Sequence, residues 1–348
     1  MTTSRVLEGQ TEDQMTDDFV VGTAHAGRGQ KARGLVEYGK RVDGSPLGIP
    51  VIVINGREDG PVLLIDGGTH GDELEGVLAV QRICSAIDPS SLSGTVIGVP
   101  VVNLLAFEGL SRAIPRTLIG DALGTDINRF FPGSADGTTA ERIAYAYGEQ
   151  VIERADYMIT CHGGGASFMV SPKVLFDGVG PMGKQNLELA KAFGWRILCN
   201  TTVYAGTAGD VAASKHVPAI VPELGGSDRL PETHDGHIER VAEGIRNVMR
   251  YYGMVDGDAA LLDRYDLCDN EHVHAGRDGL LLYEPGFQLE AQVTAGQKIA
   301  TLFDVYGDEV EQLVAQRDGM ITLIRTYPVV RGGDWICSIT TEVARTET

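Results

Sequence analysis

The sequence predicts an α/β fold: a mixed, mostly parallel sheet flanked by helices, followed by a smaller all-β domain. Three observations predict it. From about Pro50 to Gly253, short apolar runs alternate with segments whose apolar residues recur at three- and four-residue spacing. Several of those runs are apolar on both faces, as strands of a covered parallel sheet are. Past Asp263 the helical spacing stops, and Gly279, Gly286, Gly296, Gly307, Gly319 and the pair Gly332-Gly333 punctuate β-prone runs instead.

Residues 1–48 read as an N-terminal segment, partly extended. A central domain over 49–262 follows, with strands at Pro50–Ile54, Val62–Ile65, Thr95–Val102, Tyr157–Thr160 and Val217–Val221. Helices fall at Glu73–Ile87, Ala140–Ala155, Lys184–Phe193 and His237–Tyr252, the last ending at Gly253 as a helix C-terminus does. Residues 263–348 form the C-terminal β domain. There, Gln297-Lys298-Ile299-Ala300 and Arg317-Asp318-Gly319-Met320-Ile321 resemble the half-motifs of biotinyl/lipoyl-type barrels. That implies a barrel-sandwich shape, but Lys298 sits inside a run and not at a hairpin tip, so carrier chemistry is not expected.

Composition excludes several classes of function. The 348 residues are 43% hydrophobic and 22% charged, with a formal net charge of −19. Such an acidic surface is a poor partner for nucleic acid, whose phosphates require a basic one. The start of the chain has no apolar signal core, and no apolar run reaches membrane-spanning length. A cytoplasmic protein acting on a small molecule is expected, and a homo-oligomer fits equally. Five scattered cysteines without C-x-x-C spacing read as reduced core thiols.

The chemistry begins at Gly67-Gly68-Thr69-His70-Gly71-Asp72-Glu73. It places an imidazole and a carboxylate three residues apart at the end of an apolar strand. Alone, His-x-x-Glu is a weak pattern. His162 strengthens it, since it also follows a strand-like run, Tyr157–Cys161, and precedes three glycines. Open α/β sheets gather ligand groups at the carboxyl ends of their strands. Two histidines and a glutamate form a catalytic zinc set that leaves a fourth position for water.

Other histidine pairs, His234-x-x-His237 and His272-x-His274, lack a carboxylate in a buried context and read as solvated surface. Cys161 adjoins His162 but points to the opposite face of the strand, so it reads as core. Metal-assisted hydrolysis needs a base, and Glu223 is the candidate, again just past an apolar strand and followed by Gly225-Gly226. In Asp126-Ile127-Asn128-Arg129, a guanidinium beside an amide can hold a carboxylate. Asp126 can orient a histidine ligand through its second ring nitrogen.

The ordered set His70-x-x-Glu73, Asp126-x-Asn128-Arg129 with Phe-Pro-Gly following, His162 and Glu223 resembles the zinc carboxypeptidase-like fold. Within that fold it is most similar to the succinylglutamate desuccinylase/aspartoacylase branch, over roughly Pro50 to Gly253. The resemblance implies one Zn2+ per chain on His70, Glu73 and His162, with Glu223 as general base, and Asn128 and Arg129 holding the substrate carboxylate. Arg112, ending the run Asn103–Arg112, takes the place of an arginine that polarises the scissile carbonyl, with Arg116 as a nearby competitor. The family commonly has an acidic residue two before the third ligand, where this chain has Thr160. Tyr204 is a candidate for the tyrosine that carboxypeptidases place over substrate.

These residues imply a zinc-dependent amide hydrolase that removes an acyl group from a small N-acylated amino acid. A carboxypeptidase acting on peptide C-termini and a non-catalytic metal-binding or ligand-binding protein are the alternatives. Specificity is expected in the loops 113–125 and 163–177.

Overall fold

A computed structural model describes residues 18–115, 126–202 and 205–347. The runs with the most continuous apolar character take the centre. Ser93–Val99, Glu58–Asp66, Tyr157–Thr160 and Ala219–Gly226 lie side by side and parallel, with registers such as Leu63 opposite Val96 and Ile65 opposite Ile159. Their carboxyl ends share one edge. Pro46–Asn55 and Gln30–Lys40 extend this core antiparallel on one side. On the other side come Phe168–Phe176, Ile197–Asn200, Arg264–His274, Trp335–Glu347, Gly319–Arg325 and Gln292–Val293, twelve strands in all.

Helices cover both faces. Leu74–Ala86, Gly183–Phe193 and Pro231–Tyr251 pack one core, around Ile65, Ile83, Phe193 and Ile245. Thr139–Gln150 and Ala208–Ser214 pack the other, around Leu64, Ile97, Tyr147 and Val211. Among the described residues, no helix is long and apolar enough to cross a membrane. All five cysteines are buried and unpaired, Cys161 among them.

The expectation of a mostly parallel sheet needs correction. Its core is parallel, but antiparallel pairings outnumber parallel ones across the sheet, because strands from both ends of the chain join it. The C-terminal region divides between two sheets. Glu309–Val314, Lys298–Phe303, Gly279–Tyr283 and Val329–Val330 form a separate four-stranded antiparallel sheet, while the other C-terminal strands continue the main one. Lys298 opens its strand and pairs with Glu284 at 3.0 Å.

Phe168–Phe176 is a central strand in what reads from sequence as the loop 163–177. Ser171-Pro172-Lys173 hides it, since proline removes a ladder donor. The fold removes the penalty. On one edge, residues 168–170 pair with Gly319–Arg325 and 174–176 with Ile197–Asn200, leaving 171–173 in the gap between. On the other edge Pro172 faces the bulge between Glu223 and Gly225. The double pairing also closes a five-stranded ring, from Phe168–Phe176 through Ile197–Asn200, Arg264–His274, Trp335–Glu347 and Gly319–Arg325 back to its start.

Candidate active site

Glu73 stands immediately before the helix Leu74–Ala86, with an extended backbone (φ −93°, ψ 90°) and a side chain that caps no helix N–H. Both carboxylate oxygens are therefore available to the histidines. Oε1 lies 2.8 Å from Nδ1 of His70, and Oε2 lies 2.9 Å from Nδ1 of His162. The two Nδ1 atoms are 3.1 Å apart. Exposure is 2% for His70 and Glu73 and 8% for His162, so water screens none of them well.

Among the described residues this is the one trio of His, Cys, Asp or Glu whose ligand atoms lie close enough to share a metal ion. Tetrahedral zinc with bonds of about 2.0–2.1 Å holds its ligand atoms roughly 3.3 Å apart. The two Nδ1 atoms already stand near that spacing, each against its own oxygen of Glu73. Two imidazoles and a carboxylate buried together are also the ligand types that a divalent cation such as zinc takes.

His70 directs its Nε2 to Oδ1 of Asp126 at 3.2 Å, the kind of contact that fixes the tautomer of a metal-binding imidazole. Burial opposes charge on His70, but Glu73 and Asp126 outweigh it and push the imidazole up to about 9. Against burial, the histidines hold Glu73 below the usual carboxylate range, and His70 does the same for Asp126. Arg112 donates from Nη1 to Glu73 Oε1 at 2.8 Å, and its Nε lies 3.7 Å from Asp126 Oδ2. Arg116 and Tyr204 lie outside the described residues, as does most of the loop 113–125.

The backbone delivers Glu223. The His162 N–H donates to Pro222 O at 3.0 Å and the Leu224 N–H to His162 O at 3.3 Å, which sets Glu223 alongside His162. Burial raises its proton affinity and Glu73 adds to the effect, with His162 and Lys173 opposing. A raised proton affinity is what a carboxylate needs if it is to take a proton from water and hand it on.

Asn128 and Arg129 occupy the short turn Ile127–Arg129, whose first N–H groups Asp126 caps: its Oδ1 accepts from Asn128 N at 3.0 Å. Asn128 Oδ1 accepts the Ala208 N–H at 3.0 Å, which anchors the amide by its oxygen. The exposed Arg129 donates from Nη1 to the carbonyl of Asn128 at 2.7 Å.

Several participants were not evident from the sequence. Asp66, fully buried at the end of its strand, accepts from Tyr147 Oη at 2.7 Å and from Thr160 Oγ1 at 2.8 Å. It is paired with Thr160 in the ladder, so the neighbouring strand brings a carboxylate to the position where the chain lacks one of its own. Burial pushes this carboxyl up to about 6. The one sequence signal was a charged residue closing the run Val62-Leu63-Leu64-Ile65.

Two histidine readings need correction. His234 Nε2 lies 4.0 Å from Oε1 of the buried Glu75, so a buried carboxylate does stand near that pair. His272 is half-buried, its ring stacked 3.8 Å from Trp335 and its Nδ1 2.6 Å from Ser338 Oγ, and is not solvated surface. Both corrections depend on residues far away in sequence.

The family model of the succinylglutamate desuccinylase/aspartoacylase catalytic domain matches residues 59–252. N-alpha-acetyl-L-2,4-diaminobutyric acid deacetylase of Halomonas elongata is 32% identical over 84% of this chain and 85% of its own length. Among solved structures, a succinylglutamate desuccinylase/aspartoacylase from Rhodobacter sphaeroides superposes with a TM-score of 0.78 at 24% identity, covering 97% of this chain and 99% of that one. The product-bound ectoine utilization protein EutE (DoeB) of Ruegeria pomeroyi gives 0.78 at 23% identity, over 89% and 94%. At those identities the structures speak to fold alone.

Proposed function

The chain belongs to the succinylglutamate desuccinylase/aspartoacylase family and is a hydrolase of amide C–N bonds, and on that premise we propose that it deacylates a small Nα-acetylated amino acid using one zinc ion. The observation that carries the reading is the convergence of His70, Glu73 and His162 within 4.8 Å. The acetyl group and the diaminobutyrate-like amine side are supported by the Halomonas relative. When bound, zinc supplies Lewis acidity, polarising a carbonyl and making water nucleophilic near neutral pH.

The remaining work falls to side chains of this protein. A carboxylate oxygen of Glu223 takes a proton from the attacking water and passes it to the departing amine nitrogen. Arg112 places a fixed positive charge beside the oxyanion that develops on the scissile carbonyl. Arg129, with Asn128 next to it, binds the substrate carboxylate, and the exposure of its guanidinium suits that task. Asp126 holds the tautomer of His70 and shapes the turn bearing Asn128.

By the same reading the protein works in the cytoplasm, on a small carboxylate-bearing substrate and not on nucleic acid or membrane. Residues 49–262 are the catalytic unit, and residues 263–348 are a β unit of barrel-sandwich character. The test is amine release from N-acetyl, N-succinyl and N-formyl amino acids, N-acetyl-2,4-diaminobutyrate included, with zinc added or chelated. Zinc-dependent release from the acetyl compounds is expected. No release from any member, or release indifferent to chelation, would overturn the proposal.

A further inference from the structure

The segment that supplies two metal ligands, His70 and Glu73, carries two more carboxylates at the same three-residue spacing, Asp72 and Glu75. Neither faces the metal cluster. Asp72 Oδ2 accepts the Ala166 N–H at 2.9 Å, in the loop that follows His162. Glu75, 1% exposed, accepts the Gly226 N–H on Oε1 at 3.0 Å, in the segment that follows Glu223. Arg229, three residues beyond Gly226, donates from Nη2 to the main-chain oxygen of Asp72 at 2.6 Å. The two loops are also joined to each other, Gly164 N–H to Gly225 O at 3.2 Å.

Glycine is required where each carboxylate docks. A Cβ at Gly165 (φ +58°) would lie 2.6 Å from Asp72 Oδ2, and one at Gly225 (φ +78°) would lie 2.6 Å from Glu75 Oε1. The glycines that follow His162 and Glu223 thus do more than turn the chain, because they let carboxylates from a third loop reach the backbone.

We propose that Asp72 and Glu75 are positioning residues, Asp72 setting the loop of His162 and Glu75 the segment of Glu223, so that the six residues His70–Glu75 space ligands and base alike. The assignment rests on the roles given above to His162 and Glu223. It also predicts a division of labour. Loosening the loop of a ligand weakens metal binding, whereas loosening the segment of a base that binds no metal slows turnover and leaves metal binding alone.

The experiment compares D72A, E75A, D72N and E75Q with wild type in zinc affinity by chelator competition, in kcat and KM on whichever acyl amino acid the wild type hydrolyses, and in melting temperature. D72A should bind zinc at least about tenfold more weakly. E75A should bind zinc as wild type does and lose about tenfold or more in kcat, with KM within roughly twofold. D72N and E75Q keep an acceptor oxygen and should recover most of each loss, and they fold more readily than the alanine variants.

Alanine variants that only melt earlier, with zinc affinity and kcat per folded molecule unchanged, would overturn the proposal. So would conservative variants as impaired as the alanine ones. A wild type that takes up no metal would defeat the function reading, and the positioning assignment with it. A working wild type matched by all four variants would defeat the positioning assignment alone.

Discussion

Two clusters of buried polar side chains lie in this sheet and are built differently. At the carboxyl ends of Glu58–Asp66 and Tyr157–Thr160, two imidazole nitrogens lie 3.1 Å apart, each 2.8–2.9 Å from its own oxygen of one carboxylate. Inside the five-stranded ring, Lys173 Nζ donates to Thr322 Oγ1 at 3.0 Å and Asn270 Oδ1 at 3.3 Å, and Thr340 joins both partners at 2.6 and 3.0 Å. The first cluster gathers the ligand types of a divalent cation around one place. The second links an ammonium, two hydroxyls and an amide oxygen, all from strands of the ring. Burial alone therefore does not identify a functional site; what identifies it is a set of side chains whose chemistry suits a partner from outside the chain.

The largest expected effect comes from removing one of the three proposed ligands. H162A should abolish stoichiometric zinc binding and lower kcat/KM by more than about 10³-fold, since both other ligands and the substrate contacts remain but the metal does not. Metal analysis and kinetics on the purified variant check this. E223Q should come next. It keeps the shape of the side chain and all three ligands, so zinc content should stay at one per chain while kcat falls roughly 10²–10⁴-fold. A variant that lost zinc along with activity would move Glu223 into the ligand set and redraw the cluster.

The ring should respond in the opposite sense. K173M removes the ammonium but leaves Thr322, Thr340 and Asn270 able to bond to one another. A stability loss of about 1–3 kcal/mol in a denaturant titration is expected, with kcat per folded molecule within roughly threefold of wild type. A tenfold loss of kcat would break the comparison. Glu223 faces Lys173 across the ladder, and such a loss would show that the pull of the ammonium on the proposed base matters to turnover and not only to its proton affinity.

The two clusters also differ in how far the sequence revealed them. His70-x-x-Glu73 is a local pattern, and His162 and Glu223 each announce themselves as a polar residue between an apolar strand and glycines. The parallel strands were visible because both faces are buried, which gives continuous runs such as Val62-Leu63-Leu64-Ile65. The helix Pro231–Tyr251 begins six residues before the expected His237, because its first turns contain no apolar residue to set a period. The ring was invisible. Its members come from five strands spread between residues 168 and 347, and Lys173 next to Pro172 reads locally as a loop. Asp66, Asp72 and Glu75 were likewise hidden, since what each carboxylate meets is decided by distant backbone.

An effect confined to acid pH concerns His272, two residues from Asn270 and on the same strand face. Burial, with Lys173 adding to it, lowers this imidazole to about 4, so the folded protein keeps it neutral where an unfolded chain would protonate it near 6.5. The sign follows from linkage. His272 contributes its full stability above pH 6.5, and the contribution is lost as pH falls from there toward 4, at up to about 1.4 kcal/mol per pH unit. H272F retains a ring to stack on Trp335 but cannot take a proton. Its melting temperature should therefore fall less steeply than that of wild type between pH 6.5 and 4.5, while above pH 7 the two curves run parallel. Curves parallel over the whole range would mean that the ring region admits a second charge beside Lys173, and the contrast between the two clusters would lose its electrostatic basis.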